Sequence, residues 1–145
     1  MSKTVLVSRK EHFNAAHKLY NPKWDNEKNM AVFGPCANEN WHGHNFDLIV
    51  TIKGPIDVNT GFVVDLKALS DLIKTTIINQ LDHKNLNLDV DFMKDKMASC
   101  ENIVIGIWEI LAAKISELNP EAALYKVVLH ETRNNHVEYL GSNPS

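Results

Sequence analysis

The feature that most constrains the fold is a stretch of alternating side chains at residues 42–54, HGHNFDLIVTIKG. Every second position from Phe46 to Ile52 is apolar, and the positions between them are mostly polar. Because successive side chains of a β-strand point to opposite faces, this pattern predicts a strand with one buried face. The chain is therefore expected to build a sheet that packs one face against a core.

Similar reasoning places the other elements. Residues 4–17 read as a strand, with Val5, Val7, Phe13 and Ala15 on one parity. A polar segment at 18–41 is long for a loop, and such loops are usually functional or disordered. After this segment, the sequence predicts a short strand at 62–64 and a helix that begins at its cap Asp65 and ends near Gln80. A loop at 82–97 leads to a second helix, which is capped by Ser99. The last predicted elements are strands at 124–132 and 137–140.

The order β, β, β, α, α, β, β favours an antiparallel sheet with two amphipathic helices covering one face. Apolar residues left on the other face would be exposed in a single chain. This predicts an oligomer in which sheets meet.

Composition limits the function classes. The 145 residues suit a single domain, 1–145, and 44% of them are hydrophobic, enough for a core. A net charge of −3 argues against a large nucleic-acid surface. No apolar run is long enough to cross a bilayer and the N-terminal residues lack a signal-peptide pattern, so we expect a cytoplasmic protein in which Cys36 and Cys100 are free thiols.

Three histidines fall at the ends of two predicted strands. His42 and His44 share the face of the apolar stripe, and His17 closes the first strand on the parity of its apolar residues. Three such imidazoles could hold one ion and leave a fourth position open, as in catalytic zinc sites. Imidazoles also suit iron or copper, and two surface histidines would equally explain the 42–44 motif taken alone.

Cys36 and an Asp–His pair are candidates for proton transfer. Cys36 lies in a polar loop just before the histidines, where a thiol ionises more readily than in a core. The alternatives are a small buried hydrophobe or a ligand that would close the metal site. Asp82 and His83 follow the first helix, and they could supply a general acid or base or merely cap that helix.

Glu131 ends a predicted strand face that is otherwise apolar, on the parity of Tyr125, Val127 and Leu129. A carboxylate there needs partners, because burying it unpaired is costly. A heterocycle with two adjacent N–H donors is a natural bidentate partner, and the alternative is a strand end already in solvent. The remaining histidines give no functional signal of their own: His12, His130 and His136.

Six segments taken together resemble the 6-pyruvoyltetrahydropterin synthase family: FNAAHKLY, FGPCANENWHGHNF, TGFVVDLKAL, LDHKNLN, SCENIVIGIW and LHETRNN. Their order and spacing match over nearly the whole chain. The resemblance implies the tunnelling fold (T-fold), in which a four-stranded antiparallel sheet with two helices on one face trimerises into a barrel. Two trimers then stack as a hexamer, with the active sites between subunits.

The resemblance also implies a role for each matching residue. The zinc ligands would be His17, His42 and His44, and the catalytic residues would be Cys36, Asp82 and His83. The pterin would be bound by Glu131 and by the segment Ser99, Cys100 and Glu101. Cys100 replaces the usual threonine there, and a thiol is the weaker donor, which puts any contact of that hydroxyl in question.

The implied activity is that of a zinc-dependent lyase that converts 7,8-dihydroneopterin triphosphate to 6-pyruvoyltetrahydropterin and eliminates triphosphate. The spacing of six positions from Cys36 to His42 is similar to that of pyruvoyl-forming members. One alternative is 6-carboxytetrahydropterin synthase, which serves queuosine and deazapurine synthesis, and another is a non-catalytic metal- or pterin-binding oligomer. Magnesium would accompany the triphosphate, for which charge alone suggests contacts from Lys18, Lys84 and Arg133. The expected partners are a small pterin and further copies of the chain, with no nucleic acid and no membrane.

Overall fold

The computed structural model describes residues 3–37 and 42–142, and it places His42 by its backbone alone. Five strands form one sheet in the order β3-β1-β2-β4-β5. Their bounds are β1 Thr4–His17, β2 His42–Pro55, β3 Lys84–Asn85, β4 Ala123–His130 and β5 His136–Tyr139. Neighbouring strands are antiparallel except β3, which runs parallel to β1.

The four-stranded prediction is thus corrected to a mixed sheet of five strands. The added strand, β3, is two residues long, which is too short to show a periodic pattern in the sequence.

The helices are α1 Asn26–Phe33, α2 Leu66–Ile73, α3 Asn79–Leu81 and α4 Cys100–Ala112. A π-helical turn at Lys74–Ile78 joins α2 to α3, so residues 66–81 form one continuous helical segment. This segment and α4 cover one face of the sheet, as predicted. Both predicted caps are confirmed, since the side chains of Asp65 and Ser99 accept from backbone N–H groups in the first turns of α2 and α4. Within the described ranges, no helix combines the length and apolarity needed to span a membrane.

Helix α1 lies in the segment that was predicted to be a loop. It buries a single residue, Asn29, whose side-chain amide donates to the backbone carbonyls of Asn21 and Asp25 and whose oxygen accepts from the Asn21 N–H. A buried amide therefore orders this segment. The helix has no apolar stripe, which explains why the sequence pattern did not reveal it.

The prediction of a strand at 62–64 is wrong. Val63 and Val64 are buried, but Asn119 Nδ2 donates to the Val63 carbonyl at 2.8 Å and the segment joins no strand of the sheet. The segment 62–64 packs against Gly54 instead. The approach is close, because a Cβ atom added to Gly54 would lie only 3.0 Å from Val63 Cγ1.

The core lies between the helices and the face of the sheet that carries the apolar stripe of β2. Phe13 and Phe46 stack at its centre with ring centroids 4.9 Å apart. A β-bulge shifts the pairing of β2 and β4 between Thr51 and Ile52, so Leu124 rather than Tyr125 faces the core. The prediction that Tyr125 faces the core is therefore wrong, whereas the same prediction for Val127 and Leu129, which follow the bulge, is correct.

The open face of the sheet carries polar pairs as well as apolar side chains. Directly opposed side chains pair there across β1 and β2: the hydroxyls of Ser8 and Thr51 lie 2.8 Å apart, and Asn14 Nδ2 donates to Asn45 Oδ1 at 2.8 Å. Apolar side chains such as Ile49 are interspersed among them. A contact between two such faces would therefore be partly polar and partly apolar.

Candidate metal and pterin site

The ends of three strands bring the candidate site together. β1 ends at His17, which pairs with His42 at the start of β2, and His44 lies two residues further along the same face. β4 is antiparallel to β2 and ends beside the same region, so Glu131 follows it directly into the cluster. Strand register thus gathers residues that are far apart in the sequence.

Three donor atoms of the cluster lie close enough together to share one metal ion. His44 Nε2 lies 3.2 Å from Glu131 Oε1, and His17 Nε2 lies 3.8 Å from the same oxygen. The three donor atoms all fall within 4.8 Å of one another. Ligands at about 2.1 Å from a tetrahedral zinc ion are separated by roughly 3.4 Å, so small shifts of these side chains would suffice to bind it.

The tautomer of His17 favours ligation. His17 is 2% exposed, and its Nδ1 lies 2.8 Å from the carbonyl oxygen of Ala98, to which it donates. This hydrogen bond directs the Nε2 lone pair towards His44 and Glu131, as outer hydrogen bonds do in metal centres. Phe46 packs edge-on against both imidazole rings at 5.8 Å and limits their rotation.

The donor set fits a divalent metal of the zinc type. Two imidazoles and a carboxylate converge, and the sequence places a third imidazole, His42, opposite His17 in the strand register. The side chain of His42 lies outside the described residues. A possible His/Glu metal site is therefore present among the residues that the structure describes.

A cavity of about 130 Å³ borders this cluster and is lined by Cys100, Glu101, Glu131, Asn135, His136 and Val137. Cys100 Sγ donates to Glu131 Oε2 at 2.7 Å. Burial, reinforced by the charge of Glu131, raises the pKa of the Cys100 thiol, so it remains a donor at neutral pH.

Sequence reasoning found only part of this cavity. It singled out Cys100, Glu101 and Glu131 but gave Asn135 and His136 no role in the site. The predicted hairpin of the last two strands could have revealed these residues. Pairing His130 with His136 folds residues 135–137 back beside Glu131. The Ser99 hydroxyl accepts from the Asn102 N–H as the predicted cap of α4.

Cys36 is half-buried in a short 3₁₀ turn, Gly34–Ala37. Its carbonyl oxygen accepts from the Leu19 N–H at 2.8 Å, which ties the turn to the residues just after β1. Among the described residues, the donor atoms that converge are those of His17, His44 and Glu131, and Cys36 is not one of this group.

Asp82 and His83 form a pair at the exposed edge of the sheet. His83 Nδ1 lies 3.0 Å from Asp82 Oδ2, and Asp82 Oδ1 accepts from the Asn14 N–H at 2.9 Å. That backbone hydrogen bond is the main cause that lowers the pKa of Asp82, followed by the contact with His83. The His83 side chain is 83% exposed, so the structure leaves this pair outside the cluster of metal-binding groups.

The backbone of His83 has φ of +60°, an uncommon conformation for a residue with a side chain. The His83 N–H donates to the Asn14 carbonyl at 2.6 Å, which fixes this conformation. Strain of this kind is often held at functional positions.

Comparison with known proteins identifies the relatives of this chain. The family model described as 6-pyruvoyl tetrahydropterin synthase matches residues 6–142. The 6-pyruvoyl tetrahydrobiopterin synthase of Pongo abelii is 42% identical over 135 residues, covering 93% of this chain and 90% of the relative. The protein of the same name from Homo sapiens is 41% identical over 135 residues, with the same coverage of both chains.

The structure of Caenorhabditis elegans 6-pyruvoyl tetrahydropterin synthase matches with a TM-score of 0.88 at 35% identity, covering 97% of this chain and 98% of that chain. These findings confirm the resemblance inferred from the sequence and the α+β T-fold that it implied. The chain therefore belongs to the 6-pyruvoyl tetrahydropterin synthase family and is an enzyme of its lyase class.

Proposed function

We propose that this chain converts 7,8-dihydroneopterin triphosphate to 6-pyruvoyltetrahydropterin at a zinc centre and eliminates triphosphate. The observation that carries the proposal is the convergence of His17, His44 and Glu131 beside a cavity walled by Cys100. A metal-type donor cluster and a small pocket with an acidic acceptor are the two parts that such a reaction requires.

His17, His42 and His44 would hold the zinc ion, and a set of three protein ligands would leave one position free for substrate. Bound there, zinc would supply Lewis-acid chemistry that makes the protons of the substrate side chain easier to remove. The hydrogen bond from His17 Nδ1 to Ala98 orients one ligand for this task.

Glu131 would hold the pterin ring. Its side chain is 25% exposed and borders the cavity. The carboxylate could accept two hydrogen bonds, one from the ring's amino group and one from the adjacent ring N–H. Glu101 and the hairpin residues Asn135 and His136 form other walls of the pocket, so they limit the size and shape of the ring that can enter.

Cys36 would act as the base. As a thiolate it would take a proton from a carbon of the side chain, and the electrons released would move into the ring imine. The ring is thereby reduced while the side chain is oxidised, and the triphosphate leaves with its bonding electrons. No external reductant is needed for this balance.

Asp82 and His83 would exchange protons with the thiol and the substrate. The exposure of His83 in the single chain leaves it accessible to a second copy. We propose that the chain assembles into a homo-oligomer, a hexamer of two stacked trimeric barrels, in which this pair completes the site of a neighbouring subunit. Magnesium would accompany the triphosphate, with Lys18, Lys84 and Arg133 as candidate contacts.

The direct test is product analysis. Metal-free protein is loaded with zinc and incubated with the substrate, and the products are identified by mass spectrometry together with the zinc content. We expect about one zinc ion per chain, as for a single site of three histidines, together with triphosphate and the pyruvoyl product.

Release of acetaldehyde with a carboxylated pterin would instead identify 6-carboxytetrahydropterin synthase. Pterin binding without release of triphosphate would instead identify a non-catalytic pterin-binding protein.

A further inference from the structure

We propose that Asn102 is a positioning residue of the metal centre, because it holds in place the backbone carbonyl that orients His17. This inference rests on the proposed metal centre and assigns Asn102 a role that acts through Ala98, without contact with the ion or the substrate. The observation behind it is a set of hydrogen bonds that connects the first turn of α4 to the imidazole of His17.

The carbonyl group of Ala98 sets the orientation of His17. A carbonyl oxygen only accepts hydrogen bonds, so His17 Nδ1 is the donor of their 2.8 Å contact, and both residues are buried, at 2% and 0% exposure. With its proton on Nδ1, the ring keeps the Nε2 lone pair for the cluster that includes His44 and Glu131. A shift of this carbonyl would therefore change both the tautomer and the orientation of a metal ligand.

Ala98 lies in an irregular loop directly before α4, and Asn102 holds this loop on both sides of it. Asn102 Nδ2 donates to the Met97 carbonyl at 2.9 Å, and the Asn102 backbone N–H donates to the Ser99 hydroxyl at 3.2 Å. The residues before and after Ala98 are thereby tied to the first turn of the helix.

The hydrogen bond from the Asn102 side chain is not one that the helix itself needs. At this position, three residues after the cap, side chains that complete a helix end accept from the backbone N–H of the cap residue. The Asn102 amide donates instead, and its acceptor, the Met97 carbonyl, precedes the cap Ser99 by two residues. Its effect is therefore on the loop that carries Ala98.

Removing the side-chain amide should loosen the Ala98 carbonyl and weaken metal binding. Outer hydrogen-bond partners of metal ligands change metal affinity about 10- to 100-fold. Asn102 acts one hydrogen bond further from the ion than Ala98 does, so we expect an effect at the lower end of this range, about 10-fold.

The first test is a zinc competition titration against a chromophoric chelator at one fixed pH. It compares the wild type with Asn102→Ala and with Asn102→Asp, which keeps the volume and the backbone N–H but replaces the side-chain donor with an acceptor. Asn119→Ala is the matched control, because Asn119 Nδ2 donates to the Val63 carbonyl at 2.8 Å. This is a hydrogen bond of the same type beside Gly54, at the other end of β2 from His42.

Both substitutions of Asn102 should weaken zinc binding about 10-fold, because His17 is no longer held in the ligating orientation. Asn119→Ala should bind zinc within about twofold of the wild type, since distant sites without shared partners act independently. Urea unfolding of the same proteins should show a comparable loss of stability in the control, so general loosening of the fold would not account for the difference.

The second test uses the metal-free proteins and does not depend on zinc. Long-range proton–nitrogen NMR spectra, recorded where the imidazoles are neutral, distinguish the Nδ1–H from the Nε2–H tautomer. We expect His17 to be the Nδ1–H tautomer in the wild type and in Asn119→Ala, and a mixture of tautomers in Asn102→Ala. If Asn102→Ala does not fold, the same result is expected of Asn102→Asp, whose carboxylate suits the first turn of a helix.

A single Nδ1–H tautomer of His17 in the Asn102 variants would overturn the inference. It would also be overturned by unchanged zinc affinity in these variants, or by an equal loss of affinity in Asn119→Ala. A wild type that binds no zinc would overturn the proposed metal centre, whereas the NMR spectra would still show whether Asn102 orients His17. The two failures are therefore distinguishable.

Discussion

Replacing Glu131 with glutamine should lower kcat/KM for triphosphate release about 10- to 150-fold while leaving the zinc content unchanged. Glutamine is nearly isosteric, but it keeps one acceptor oxygen and puts an N–H₂ group in place of the other. One hydrogen bond to a charged group is worth about 1.5–3 kcal/mol, and each 1.36 kcal/mol or so is tenfold in rate. Losing one such bond to the pterin edge therefore gives the stated range.

The structure limits what else the substitution can disturb. Glu131 Oε2 accepts from the Cys100 thiol, and the side chain is 25% exposed, so an amide can be accommodated without an unpaired buried charge. The loss should appear mainly in KM, because the interaction holds the ring before and during the reaction alike.

The assay is the steady-state release of triphosphate with metal analysis of the same protein samples. Glu138→Gln is the matched control, since Glu138 lies in β5 and its exposed carboxylate is 4.0 Å from Lys126 Nζ. We expect the control to stay within about twofold of the wild type, as for most exposed ion pairs. A Glu131→Gln enzyme with normal kcat/KM, or one that has lost its zinc, would refute this role for Glu131.

Three further predictions address the base, the shared site and stability. Cys36→Ala should retain zinc but release triphosphate about 10²-fold more slowly or worse, and unchanged turnover would remove Cys36 from the mechanism. Mixing inactive Cys36→Ala and His83→Ala chains by joint refolding should restore part of the activity, because some interfaces then hold both intact groups; a lack of recovery would contradict a site shared between subunits. Ser70→Ala should lower the free energy of unfolding by about 1.5 kcal/mol at pH 7 in urea titrations, because its hydroxyl donates to the buried Glu11 at 2.5 Å. Burial tends to raise the pKa of Glu11, but hydrogen bonds from Ser70 and Arg9 outweigh it and lower this pKa below its ordinary 4.5. The contribution is therefore complete above pH 4.5 and is lost as pH falls through the folded pKa, so an equal Ser70→Ala effect at pH 7 and pH 3 would contradict it.

Local patterns predicted the elements that carry the site. The alternation of β2 placed His44 on the same face as Phe46, and both of these side chains contact His17 in the structure. Helix caps were equally visible, because Asp65 and Ser99 each act on N–H groups two or three residues away.

Elements held by buried polar contacts were missed. Helix α1 depends on the amide of Asn29, which serves backbone groups of a preceding turn, and β3 is a two-residue strand defined by its pairing with β1. The bulge opposite Thr51 moved Tyr125 off the core face, since an inserted residue leaves the alternation unchanged in the sequence while it changes the pairing.

Through the resemblance of its motifs, the sequence by itself indicated the family, and with it the T-fold and the lyase class. It also indicated which face of β2 is buried and where two helices begin, because strand alternation and helix caps are properties of neighbouring residues. Only the tertiary structure decided which side chains meet. His17 reaches Ala98 across 81 positions, and Cys100 reaches Glu131 across 31. A periodic pattern fixes the direction of a side chain but not its distance from a residue on another strand or helix, and that distance decides whether Glu131 faces a thiol, a pterin or a metal ion.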